Sequence, residues 1–187
     1  SVNAKNMRAF IAIELPKNIK ASLAGLQEEL KTSGADIKWV EPENIHLTLK
    51  FLGEIDEIVF NKVIKILGDI GLEINPFQLS ICSLGAFPKI NFPRVIWVGI
   101  DKGDSEVKKI AKGLQEKIAK LGIPQEVRAF SSHITIGRVR SMFNREKLIS
   151  DLGKLAADFA EKYPAEFSVA KITLFKSTLT PGGPIYE

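Results

Sequence analysis

Only two histidines occur in the 187 residues, and both stand in one pattern: His46-Leu47-Thr48-Leu49 and His133-Ile134-Thr135-Ile136. Histidine is the side chain whose ordinary ionisation, near ~6.5, lets it give or take a proton close to neutrality. Alternation along a strand puts each histidine and its threonine on one face, while Leu47, Leu49, Ile134 and Ile136 point into a core. Two such strands facing each other could clamp a phosphate ester. One imidazole, neutral, removes a proton from water; the other, protonated, donates to the departing oxygen. The threonine hydroxyls can donate to the non-bridging oxygens as charge builds on them. A strained cyclic phosphodiester best suits such chemistry without a metal. Spacing alone leaves open which histidine is acid and which is base.

Competing chemistries are poorly served. The histidines lack the usual zinc spacings, His-x-Glu and His-Glu-x-x-His are absent, and there is no phosphate-binding Gly-x-x-x-x-Gly-Lys-Ser/Thr stretch. Ser131 and Ser132 adjoin His133, but the sequence offers no oriented acid to complete a serine triad. Cys82 is the only cysteine and sits between apolar neighbours, which predicts a buried structural thiol in a reducing, cytoplasmic home. No apolar run approaches the ~20 residues of a membrane span. The net charge of +4 permits an anionic partner, and Arg128, Arg138, Arg140 and Arg145 crowd around the second motif, where guanidinium forks could meet phosphate. Lys50, four residues after His46, has the parity to join it as a weaker candidate. Among aromatics, Phe51 and Trp97 are expected in the core, and Phe130 is the candidate base platform.

The elements that must position these residues repeat. His133 follows His46 by 87 positions, and the same shift lays Phe10-Ile11-Ala12-Ile13-Glu14 on Trp97-Val98-Gly99-Ile100-Asp101. The first half predicts a strand Met7–Glu14, a helix from Pro16 to Lys31, strands Ile37–Val40 and Ile45–Leu52, a helix Asp56–Leu67 closed by Gly68 and Gly71, and a strand Phe77–Leu84. The second predicts a strand Arg94–Ile100, a helix Asp104–Leu121, a strand Ser132–Val139, a helix Asn144–Lys162 with Asn144 as N-cap, and a strand Phe167–Leu174. A turn at Thr180–Pro184 and a short edge strand at Ile185–Tyr186 follow. Gly85–Pro93 reads as the linker. The expected fold is α+β: a bilobal pseudo-two-fold duplication, two antiparallel-rich sheets facing a central groove, helices outside. One domain is expected over 7–187, from interlocked halves at about 7–85 and 94–176 plus a C-terminal tail. Residues 1–6 read as an added tail ahead of a natural start at Met7.

The stretch Trp39-Val40-Glu41-Pro42-Glu43-Asn44-Ile45-His46-Leu47-Thr48-Leu49-Lys50-Phe51-Leu52-Gly53-Glu54 closely resembles the first signature of the 2'-5' RNA ligase family, also called RNA 2',3'-cyclic phosphodiesterases, within the two-histidine phosphoesterases. Segments Arg8–Ile13, Pro93–Ile100 and Leu179–Glu187 are similar too. The resemblance implies opening of 2',3'-cyclic phosphates at RNA ends to 2'-phosphates, with reversible 2'-5' ligation and no cofactor. It implies His46 as proton donor and His133 as acceptor. RNA ends, with tRNA halves and nucleotides as further candidates, are the implied partners, and a monomer is expected. The family's arginine five residues after the second histidine is matched by Arg138; strict alternation aims Arg138 away from His133 unless the strand bulges near Gly137. Ser132 stands where the family often has proline. Two other readings remain: a related phosphoesterase acting on a substrate such as ADP-ribose 1'',2''-cyclic phosphate, or a non-catalytic RNA-binding protein.

Overall fold

The computed structural model describes residues 6–127 and 129–187, so Arg128 of the arginine cluster and the first five residues of the expected tail lie outside it. Among the described residues nine strands and four α-helices follow in the order β1 (Met7–Glu14), α1 (Lys17–Lys31), β2 (Ile37–Trp39), β3 (His46–Ile55), α2 (Glu57–Glu73), β4 (Phe77–Lys89), β5 (Phe92–Ile100), α3 (Asp104–Ala119), β6 (His133–Val139), α4 (Arg145–Lys162), β7 (Ala165–Val169), β8 (Thr173–Thr180) and β9 (Gly183–Tyr186). The strands form one sheet ordered β3-β1-β8-β9 and another ordered β2-β6-β5-β4-β7, with every recorded pairing antiparallel. No described helix is long and apolar enough to cross a membrane.

The α+β fold of two antiparallel sheets matches the expectation, and the topology explains how the halves interlock. β4, from the first half, pairs with β5 in the second sheet; β8, from the second half, pairs with β1 in the first. Neither half holds a finished sheet. The helices supply the apolar layer. On α1, Ile19, Leu23, Leu26 and Leu30 recur at helical spacing and are buried, as are Val107, Ile110, Leu114 and Ile118 on α3. Each such side chain contributes about 1.5–3 kcal/mol by leaving water.

Several boundaries differ, for physical reasons. Gly85–Pro93 is no linker: β4 runs on to Lys89 and turns directly into β5, because cross-strand pairing outweighs the two prolines. α2 continues past Gly68 and Gly71 to Glu73, since a helical glycine is a modest penalty and not a stop. Phe167–Leu174 divides between β7 and β8, which belong to different sheets. Asn144 precedes α4 in the left-handed region, φ 53°, and its side chain donates to the Gly34 carbonyl instead of capping the helix. Cys82 is only partly buried.

Candidate active site

A cavity of about 670 Å³ opens between the sheets, and His46, Thr48, His133, Thr135 and Arg138 all line it. The strands that carry the motifs, β3 and β6, approach within 8 Å across the groove. Both histidines are half-buried at the first position of their strands.

His46 follows a short 3-10 turn, Pro42–Asn44, whose last carbonyl meets its ring: Nδ1 lies 2.6 Å from the Asn44 oxygen. A carbonyl only accepts, so Nδ1 carries hydrogen and the ring's orientation is fixed. Nε2 lies 2.8 Å from Thr48 Oγ1. Asn44 is itself held, its Nδ2 donating to the Pro184 carbonyl on β9 at 3.0 Å. Phe10 of β1 stacks on the imidazole at 4.7 Å between centroids, and Tyr186 stands edge-on at 5.5 Å. Burial in this aromatic nest pushes the His46 pKa below its usual 6.5; the Asn44 carbonyl opposes the shift, and the Lys20 charge adds to it.

His133 is held differently. Its Nδ1 meets the Ser131 hydroxyl at 2.6 Å, and Trp97 of β5 lies almost parallel to the ring, 3.7 Å away and tilted by 8°. The indole fits because glycines flank it. A Cβ on Gly85, opposite Trp97 in the ladder, would fall 2.5 Å from the indole, and one on Gly99 would meet Ser83 Oγ at 2.4 Å. Burial depresses the His133 pKa, the Asp104 carboxylate opposes this, and Lys108 adds to the depression.

Both motif strands bulge at the same place. On β3 the pairing with β1 passes from Thr48–Ala12 to Lys50–Ile11, leaving Leu49 over; on β6 the pairing with β5 passes from Thr135–Trp97 to Gly137–Ile96, leaving Ile136 over. An extra residue reverses the alternation beyond it. Arg138 therefore reaches the cavity wall, by the bulge that strict alternation required. The same reversal acts on Lys50, which also lines the cavity. Its side chain turns under the sheet, 1% exposed, with Nζ donating to Gln115 Oε1 at 2.9 Å and the Pro124 carbonyl at 3.1 Å, and Glu126 at 4.0 Å. Burial lowers its pKa, and its ammonium is bonded to protein oxygens.

The two aromatics expected in the core, Phe51 and Trp97, lie elsewhere. Phe51 is 61% exposed on the cavity wall instead of lying in the core. Trp97 is half-buried against His133. Phe130 also lines the cavity, but half-buried and packed against the core. Sequence reasoning missed the Phe10 stack, the Asn44 carbonyl and Tyr186. The signal for the first was present: the 87-residue shift lays Phe10 on Trp97, the two rings that back the two histidines.

The model of the family described as "LigT like Phosphoesterase" matches the chain twice, over residues 13–97 and 98–186. A Methanocaldococcus jannaschii protein named RNA 2',3'-cyclic phosphodiesterase is 43% identical, covering 97% of each chain. A protein of the same name from Aquifex aeolicus is 39% identical, covering 97% of this chain and 94% of its own. Among solved structures, a Thermus thermophilus protein superposes with a TM-score of 0.76 at 26% identity, covering 97% of this chain and 94% of its own. E. coli LigT complexed with 3'-AMP shares the fold with a TM-score of 0.72 at 24% identity, covering 98% and 95%.

Proposed function

The chain belongs to the LigT-like phosphoesterase family, and from that premise we propose that it is a metal-independent RNA 2',3'-cyclic phosphodiesterase that leaves a 2'-phosphate. The observation that carries this reading is the meeting of both His-x-Thr pairs and Arg138 on one cavity. The cyclic phosphate sits between the two imidazoles. His133, neutral, takes a proton from water as the water oxygen bonds to phosphorus. The P–O3' bond breaks, and His46, protonated, delivers its Nε2 proton to the leaving 3' oxygen. Thr48, Thr135 and the Arg138 guanidinium stabilise the oxygens that gain charge.

The backing groups support this division of labour. The Asn44 carbonyl accepts more strongly from a cationic ring, so it favours the protonated form of His46. The Ser131 hydroxyl can accept the Nδ1 hydrogen of His133 and leave Nε2 bare for water. Running the same steps with a 5'-hydroxyl in place of water, its oxygen bonding to phosphorus as the P–O3' bond breaks, gives 2'-5' ligation, and the reverse steps cleave that linkage. RNA ends, tRNA halves among them, are the proposed substrates. The exposed ring of Phe51 and the flank of Phe130 are the surfaces on which a base would stack.

The test is direct. Purified protein in EDTA is incubated with uridine 2',3'-cyclic phosphate, and phosphorus NMR assigns the product as the 2'- or 3'-phosphate. Turnover to the 2'-isomer is expected, with loss of ~10²–10⁴-fold in His46→Ala and in His133→Ala while circular dichroism is retained. No product between pH 4 and 9, or undiminished turnover in either variant, refutes the proposal.

A further inference from the structure

α1 presents a stripe of buried leucine and isoleucine, yet one residue of its hidden face is polar. Gln27 is 2% exposed. A buried carboxamide is costly unless its hydrogens are bonded, and here both hydrogens of Nε2 are used: one to the Val40 carbonyl at 2.8 Å, the other to the Ile136 carbonyl at 3.0 Å. Ile136 is the extra residue of the β6 bulge, and Val40 N donates to the same carbonyl at 3.1 Å. Gln27 thus ties the end of β2 to the one peptide whose position decides which way Arg138 points. Trp39 closes the same spot from the β2 side, where a Cβ on Gly137 would meet it at 2.9 Å.

The other half contains a related device. On α3, the half-buried Gln115 accepts through Oε1 from Lys50, the residue that follows the β3 bulge. Each half's first helix therefore extends a glutamine toward the other half's histidine strand, Gln27 to the bulge peptide itself and Gln115 to the side-chain ammonium of the residue after the bulge. A leucine would fill either position on packing grounds alone. At Gln27, where the polar side chain is buried and bonded to the bulge carbonyl, the bulge is the feature being held.

We propose that Gln27 is a positioning residue for Arg138: its carboxamide fixes the Ile136 bulge in the register that turns the guanidinium toward the bound phosphate. This rests on the reading of Arg138 as a phosphate ligand. Gln27 touches no substrate, so its effect must pass through Arg138, and a double-mutant cycle reads that dependence.

The dissociation constant of uridine 2'-monophosphate is measured by calorimetry in EDTA, together with kcat and KM for uridine 2',3'-cyclic phosphate and the melting temperature. Arg138→Ala is expected to weaken binding about ten-fold or more, as loss of a charge-assisted contact does. Gln27→Met, of similar length but without a donor, is expected to weaken binding and raise KM about five-fold, with the loss in KM exceeding that in kcat. In the Arg138→Ala background the same substitution is expected to change binding less than two-fold. Gln27→Asn, too short to reach both carbonyls, is carried through the same cycle in case the methionine variant fails to fold. Equal losses with and without Arg138, or no loss in either background, overturn the positioning role. Unchanged binding in Arg138→Ala removes the phosphate assignment and the role of Gln27 with it. Intact coupling in a wild-type protein that turns over no cyclic phosphate leaves the positioning role standing and refutes the catalytic reading instead.

Discussion

Gly85→Ala is the smallest change that tests whether the His133 ring is held by its stack. The new Cβ would lie 2.5 Å from Cη2 and Cζ2 of Trp97, whereas ordinary contact starts at 3.4 Å, so the indole must retreat by about 0.9 Å. It has nowhere harmless to go, because the imidazole lies against the indole at 3.7 Å and nearly parallel. A displacement of order 1 Å in a catalytic group costs about 10²-fold in rate. Overpacking of this kind lowers stability by about 1–3 kcal/mol. The expected result is a fall in kcat of roughly 10²-fold in a protein that still melts cooperatively, with affinity for uridine 2'-monophosphate less affected, since Arg138 stands on another part of β6. Gly113→Ala is the control: nothing lies within 4 Å of a Cβ at this helical position, so turnover is expected to be unchanged and stability higher by up to about 1 kcal/mol. A folded Gly85→Ala protein with kcat within two-fold of wild type refutes the claim that the stack fixes the base.

Two further outcomes follow from the site. Burial holds both imidazoles below their usual 6.5, so in the free enzyme protonated His46 grows scarce as pH rises past that value, while protonated His133 accumulates as pH falls; kcat/KM is therefore expected to peak below about pH 6.5. A bound phosphate anion favours the imidazolium, so the kcat profile should extend to higher pH, and a kcat/KM optimum above pH 7.5 in a stopped assay contradicts the assignment. Thr48→Ala and Thr135→Ala are each expected to cost up to about 10²–10³-fold in kcat, the range for losing one oxyanion donor; steady-state kinetics with near-wild-type kcat in both excludes the hydroxyls from the transition state.

What the sequence made legible is whatever follows from periodicity. The apolar stripes of α1 and α3 and the alternation of His46 with Thr48 and His133 with Thr135 placed these elements correctly, because burial dictates both patterns. The 87-residue repeat carried the pairing of the two histidine strands. What alternation could not reveal were its own interruptions. Leu49 and Ile136 look like ordinary core residues in a strand pattern, and only the ladders with β1 and β5 show them as surplus. Alternation consequently places Phe51 in the core, whereas its ring stands exposed on the cavity wall. The linker at Gly85–Pro93 failed similarly: proline and glycine are local signals, while the hairpin that absorbs them is a tertiary fact. The carbonyl behind His46 belongs to the backbone, which no residue type announces.

Duplication alone would yield a symmetric pair of imidazoles, and symmetric groups would compete for the same proton. Acid and base must differ, and the two halves differ at three matched places around the cavity. Behind Nδ1 stands an obligate acceptor, the Asn44 carbonyl, in one half and an adaptable hydroxyl, Ser131, in the other. Against the ring lies Phe10 at 4.7 Å in one half and the broader Trp97 at 3.7 Å in the other. Beyond the bulge, the equivalent positions are apolar Phe51 and cationic Arg138. In the proposed mechanism Arg138, on the cavity wall, meets the phosphate from the half whose histidine is neutral, so anion binding would not require His133 to be charged. In the His46 half the position equivalent to Arg138 is Phe51, and the Lys50 ammonium beside it is bonded to Gln115 and Pro124, so under the proposed mechanism the imidazolium is the group nearest the charge on the leaving oxygen. Under that mechanism an anion held by Arg138 would raise the proton affinity of His46, and the substrate itself would complete the asymmetry that separates acid from base.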